Sequence, residues 1–416
     1  MIKKTRLLIV YPFVLLLLQS AILNYTSGLI YTVINYFDEL YIIFLWCSAL
    51  VKNNGKIYLD REDKRILLLS ILFVFLGLIS NFSNDYQSLG YAVSDAFICT
   101  KFSLAYLGIR QYVRSRRENE EIIVSLYKFS KVFITVCFIL AVVNIVIPIF
   151  PTSDYRYFMN SIKLFYGHPT TLAIVSISAV CVIISKQSII KDKKDMAYII
   201  QGLIVTCLTL RSKAIAGVLC VAFIYIYFVK FKIKNKFVAG ISALAIGIIT
   251  GYDQIAFYFG GNSKFDSNFV RERLLLDSGE IANRFFPIGS GFGTFASNIA
   301  AEHWSTLYNE YNYVYGPFLS DSFWPIVVAQ TGWIGLIVFI FIIITYLLRT
   351  VKLQTVNIYL YWAGLSILCY ELICSVGESA FFNPAVCPLF ILMGLIVNQG
   401  ELLRNESTND QQVPLS

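Results

Sequence analysis

The sequence predicts an all-α polytopic membrane protein with about 12 transmembrane helices and one large, partly helical extracytoplasmic loop. Three observations predict this class. Hydrophobic residues make up 57% of the 416 residues, charged residues only 14%, and mean hydropathy is +0.66, which excludes an ordinary soluble domain. The apolar residues fall into runs near the roughly 17 to 25 residues that a helix needs to cross about 30 Å of hydrocarbon. The cations divide unevenly between the two sides that those runs define.

The expected spans lie at 7–24, 27–51, 66–81, 90–109, 132–150, 168–185, 197–210, 214–229, 237–251, 323–348, 356–376 and 381–398. Within lipid, such runs satisfy their own backbone only as helices. With the N-terminus inside, the inner segments collect 25 of the 34 Lys and Arg residues and the outer segments eight, while Lys101 falls within the fourth span. The positive-inside rule then places both termini in the cytoplasm. Net charge of +8 is mostly this topology signal. It implies a lipid bilayer as partner and no nucleic acid.

The amino terminus has the basic and apolar regions of a signal peptide without a small-x-small cleavage site, and reads as an uncleaved first span. All nine cysteines lie in expected helices, so no disulfide framework emerges. The two histidines, His168 and His303, share no ligand spacing with carboxylates, and neither metal nor cofactor is expected. Asp38, Glu39, Asp95, Lys101 and Glu371 fall inside spans, where an ionisable group needs a partner. Lys101 is expected to pair with Asp95 or Glu371. Asp38 and Glu39 alternatively signal that the second span is broken or shifted.

The chain divides into spans one to nine (1–251), an outer loop (252–322), spans ten to twelve (323–398) and a polar tail expected to be disordered (399–416). An outer loop this long usually carries a function of its own. Four of the eight outer cations, Lys264, Arg271, Arg273 and Arg284, lie in it. Its sequence opens with helical spacing, breaks at Pro287 and at Gly289, Gly291 and Gly293, then resumes a helical pattern. The glycines mark a turn where backbone can approach a ligand closely.

Several segments carry a family likeness: "FYGHPTTLA", "TCLTLRSKAIAGVL", "RERLLLDSGEIANRFFPIGSGFGTF" and "SDSFWPIVVAQTGWIGLIVFI". Together, over about residues 165 to 345, they resemble the O-antigen polymerase and ligase superfamily. The resemblance implies a Wzy-type polymerase in the bacterial cytoplasmic (inner) membrane. Such an enzyme joins undecaprenyl-pyrophosphate-linked oligosaccharide repeat units, donor and acceptor, into O-antigen or capsular or exopolysaccharide at the outer face. A chain-length regulator and a flippase would be further partners.

The chemistry fits the residues. A pyrophosphate leaving group calls for fixed cations, and arginine forks match its oxygens. Arg211 and Lys213, at the outer end of the seventh span, are a phosphate clamp or snorkelling interfacial cations. The resemblance aligns Arg271 with the family's Arg-x-x-x-Leu pattern, and Arg273 offers a second register. Two residues apart, they do not share a helix face, so one of the two faces phosphate or both belong to a solvated helix. Arg284 is a less specific candidate.

For the base that takes the acceptor hydroxyl proton, Asp321 occupies the position where the family's ligases carry a His. The stretch Ser320-Asp321-Ser322 ahead of Pro325 also reads as a helix cap. His303 is the other candidate base or a surface residue. His168 faces the outer cavity or begins the sixth span. The missing His weighs against a ligase. A lipid-linked oligosaccharide flippase or proton-coupled transporter is the reading from another class, and the absence of an internal repeat stands against it.

The charge count makes a direct prediction: a reporter fused near Ser305 is active only when it works outside the cytoplasm, and cytoplasmic activity there overturns the topology.

Overall fold

The computed structural model describes residues 2–157, 159–231, 267–316, 319–320 and 322–410. Their regular structure is almost entirely helical. In order they form α1 (Ile2–Leu23), α2 (Gly28–Asn35), α3 (Phe37–Lys52), α4 (Arg61–Asn84), α5 (Leu89–Tyr112), α6 (Arg116–Val146), a two-stranded hairpin β1 (Tyr155–Arg156) and β2 (Met159–Asn160), and α7 (Pro169–Lys186). Then come α8 (Asp195–Leu208), α9 (Ser212–Ile224, continuing as a π-turn to Lys230), α10 (Ser267–Arg284), α11 (Asn298–Glu302), α12 (Leu307–Glu310), α13 (Phe323–Lys352), α14 (Ile358–Cys374) and α15 (Val386–Asp410).

Among the described residues seven helices are long and apolar enough to cross a membrane: α4, α5, α6, α7, α9 with its π-turn, α13 and α15. The apolar helices Leu7–Leu23, α8 and α14 are shorter. α2 and α3 together qualify as one span bent by 53°. The expected second span is therefore broken, and Asp38 and Glu39 lie in the first turn after the break. The expected span at 237–251 and Lys264 lie outside the described residues.

Local chemistry sets several helix ends. Asp60 caps α4 by accepting the Asp63 N–H at 2.8 Å, and Asp85 closes the same helix in the left-handed conformation. Asn357 caps α14 through the Tyr359 N–H at 3.0 Å. α7 begins with Pro169 in the position that needs no N–H donor.

The glycine-rich segment of the long loop is not at the surface. Residues 289–297 are buried between α4, α5 and α13 without helical or strand hydrogen bonding of their own. Irregular backbone buried away from water must find a partner for each N–H and C=O. Here α13 supplies some of them by unwinding at Gly332 (φ 64°), which leaves the Ala329 and Gln330 carbonyls to accept the Ser290 and Gly291 N–H groups at 2.8 and 2.9 Å. On α4, Asn81 donates to the Phe292 carbonyl at 2.8 Å and accepts the Phe292 N–H at 2.7 Å. Ser80 donates to the Gly289 carbonyl. Asp95 on α5 accepts the Gly293 N–H at 2.7 Å, and Gln330 donates to the Phe295 carbonyl at 2.9 Å.

Side chains drive the same insertion. Phe292 packs on Phe73 (centroids 5.7 Å apart) and over Gly77, where an added Cβ would come within 2.4 Å of its ring. At Gly291 (φ +105°) a Cβ would overlap Asn81. The close backbone approach expected at Gly291 is thus made to α4.

Lys101 pairs with neither Asp95 nor Glu371. Its ammonium lies 2.7 Å from Asp38 and 3.3 Å from Glu39, because α3 and α5 pack along one another. Asp95 faces the loop instead, and Glu371 is buried with Oε1 lacking a hydrogen-bond partner. At the opposite end of the bundle, Arg110 and Arg349 share Asp60, Asp63 and Glu401, joining α4, α5, α13 and α15. α15 runs past the last expected span to Asp410, with Gln399 donating to Glu120 at 3.0 Å, and residues 411–416 of the expected tail lie outside the described residues.

Asn81→Leu leaves the Phe292 N–H and C=O unpaired in the core, at about 1–3 kcal/mol per group. The thermal midpoint of the detergent-solubilised variant should fall clearly below that of Gln87→Leu, which loses one half-buried bond to Gly293. Equal midpoints would show that the inserted segment does not contribute to the fold.

Candidate functional site

The end of the bundle that carries the 267–320 segment holds most of the residues the sequence singles out, and it sorts them into two groups. The first sits on α9. Leu208, Thr209 and the hairpin fasten together through Ile162 N–H to the Leu208 carbonyl (3.1 Å) and Ser161 hydroxyl to the Thr209 carbonyl (2.5 Å). This places Asp154 against Arg211 at the start of α9, with Nη1 to Oδ2 3.2 Å, and Arg156 meets the same carboxylate at 3.0 Å. The hydroxyl of Ser153, joined by the Arg211 and Arg156 guanidinium groups, holds the Asp154 carboxyl well below the usual carboxylate range against an opposing desolvation penalty. Two residues on from Arg211, Lys213 forms an ion pair with Glu378 in the connection after α14.

The second group sits on α10. Arg273 reaches the Tyr311 carbonyl, stands 3.4 Å from Asp277 and lies over the Tyr313 ring at 4.3 Å. Burial raises the Asp277 carboxyl, although the Tyr313 hydroxyl (2.8 Å) and Arg273 oppose the shift. Arg284 binds Glu310 at 2.6 Å and the Tyr86 hydroxyl at 3.1 Å. Arg271, two residues before Arg273 on the same helix, is half-buried. Arg273 and Arg284 therefore converge on the Glu310–Tyr313 turn from one helix.

A small crevice of about 20 Å³, enough for a water molecule, is lined by Asp95, Cys99, Ser297, Asn298, Ser320 and Ser379 among others. Ser379 follows Glu378, the partner of Lys213, and Asn298 opens α11. Asp321 lies outside the described residues. Its neighbour Ser320 lines the crevice, and Ser322 is the N-cap of α13, without a side-chain capping bond.

The histidines are placed apart from the crevice lining. His303 is exposed at the end of α11 and stacks on Tyr91 with centroids 3.7 Å apart. His168 is exposed at the N-cap of α7, where its Nδ1 accepts the Thr170 N–H at 3.3 Å. Among the described residues no group of three or more His, Cys, Asp or Glu side chains is arranged to hold a metal ion.

Sequence reasoning missed Asp154, Glu378 and Glu310 as the carboxylates that hold these cations. Their signal was weak because each lies in a different loop. Asp95 did carry a signal, an ionisable residue inside a span. The chain matches no protein-family model, and no curated protein matches it.

The depressed Asp154 carboxyl stabilises the hairpin above its unfolded value near 3.9, and that contribution is lost as pH falls through the lower folded value. The side chain is 49% exposed, so screening keeps the contribution small. Amide-exchange protection of the Ser153–Ser161 pairing should hold from about pH 5 upward and drop only in acid. In Asp154→Asn the acid step should vanish; an unchanged step would assign the transition to another group.

Proposed function

We propose that the chain is a polymerase that joins oligosaccharide repeat units carried on undecaprenyl pyrophosphate, at the outer face of a bacterial cytoplasmic membrane. In this reading it has twelve spans, both termini are cytoplasmic, and the product is O-antigen or a capsular or exopolysaccharide. The observation that carries the reading is that Arg211, Lys213, Arg273 and Arg284 each stand against a carboxylate at the loop-bearing end of an apolar helical bundle. The motif order in the sequence and the charge asymmetry support it.

Each of these cations is held by a carboxylate, and a pyrophosphate, with more charge and more acceptor oxygens, competes well for the same cations. In the reaction the acceptor hydroxyl oxygen bonds to the donor's anomeric carbon while the bond from that carbon to the pyrophosphate oxygen breaks. The arginines stabilise the departing pyrophosphate electrostatically, and the hydroxyl proton passes to Asp321 or His303. Arg271 adds to the clamp from α10. The chemistry requires no metal or cofactor when the leaving group is stabilised this way.

A second reading, a flippase or transporter for the same lipid-linked unit, is favoured by one observation: the broken span α2–α3 with Asp38 and Glu39 against Lys101. A ligase would transfer finished chains instead. Deleting the gene separates these readings. Surface anchors bearing a single repeat unit support the polymerase, loss of all transfer to the anchor points to the ligase, and inward-facing accumulation of the lipid-linked unit points to the transporter.

Within the polymerase reading, Arg211→Ala and Arg271→Ala should each nearly abolish polymer at unchanged protein level, with poor rescue by Lys, which lacks the fork. Normal ladders in either Ala variant remove that residue from the mechanism. Asp321→Asn should likewise yield folded, inactive protein; full-length polymer from it would leave His303 as the base.

A further inference from the structure

The break between α2 and α3 leaves carbonyls at Ile34 and Asn35, and Gln19 of α1 donates to both, at 2.9 and 3.2 Å. The same amide donates to Asp38 Oδ1 at 3.0 Å. Lys101 Nζ of α5 lies 2.7 Å from Asp38 Oδ2 and 3.3 Å from Glu39 Oε1, and Cys387 Sγ of α15 lies 3.8 Å from Asp38 Oδ2. One ammonium therefore faces two carboxyl groups. α2 contributes no charged residue, α1 contributes the neutral Gln19 and α15 a thiol, so no second cation balances the pair among the described residues.

A surplus negative charge in such a place is better relieved by a proton than retained. The two carboxyls are not equivalent. Asp38 is fully buried, with Lys101 on one oxygen and Gln19 on the other. Glu39 has Oε1 toward Lys101 and a buried Oε2 with no hydrogen-bond partner, and its side chain keeps 19% exposure, a route for exchange. We infer that Asp38, Glu39 and Lys101 form a proton-binding site within the membrane-spanning bundle, with one exchangeable proton carried on Glu39. Through Gln19, that site touches the carbonyls at the bend, so binding and release of the proton act on the hinge of the broken span. The inference does not depend on the reaction at the loop-bearing end.

Infrared difference spectra of the purified full-length protein in detergent micelles, wild type against Glu39→Gln, test it. A protonated carboxylic acid carbonyl band should be present in the wild type near neutral pH, be absent from the variant, and fade about tenfold per pH unit above its midpoint. Should Glu39→Gln fail to fold, dicyclohexylcarbodiimide, which attacks protonated carboxyls in apolar surroundings, is applied to the unmodified chain. Peptide mass spectrometry should find the adduct on Glu39, decreasing as pH is raised. A spectrum indifferent to Glu39→Gln, or labelling confined to Glu371, overturns the proposal.

Discussion

The structure depends on satisfying a stretch of irregular backbone inside a helical bundle. Residues 289–297 bring polar N–H and C=O groups among α4, α5 and α13, and each such group left unpaired costs about 1–3 kcal/mol. Their partners come from three directions: the carboxamide of Asn81, the carboxylate of Asp95 and the carbonyls freed where α13 unwinds at Gly332. The loop and the helix break each leave groups unsatisfied alone and complete each other together. Gly332 and Gly289 meet so closely that a Cβ on either would strike the other's backbone, which explains glycine at both positions.

The interlock fixes what the loop can present. With Gly291 and Phe292 committed to α4, the flanking pieces α10 and α11 are held at the bundle end, and the cations on α10 reach the Glu310–Tyr313 turn. At the far end Arg110 and Arg349, both buried, tie the same helices through shared carboxylates. Buried ion pairs of this kind contribute little net stability over apolar packing, but removing one member is strongly unfavourable, so they fix helix register.

The paired state of the cations at the loop-bearing end also bears on the proposed chemistry. A carboxylate partner keeps a guanidinium oriented and lowers the reorganisation needed when a phosphate replaces it. Asp154, Asp277 and Glu310 hold Arg211, Arg273 and Arg284 in this way, from three separate segments. The crevice with Asp95 in its lining offers a carboxylate for which the sequence suggested only an ion pair.

The sequence by itself determined the class of the fold and much of its layout. Hydropathy and length place apolar helices because a chain in hydrocarbon must satisfy its backbone internally, and the Pro287–Gly293 break is legible because those residue types do not continue a helix. His168 and Asp38 were legible as a helix start and a broken span. Only the tertiary structure decided which polar groups meet. Lys101 chose Asp38 and Glu39 over Asp95 because α3 packs along α5, Asp95 was left to the Gly293 N–H, and Glu401 met two arginines. Pairings of that kind depend on inter-helix register and on distances across segments far apart in sequence, and local periodicity carries no information about either.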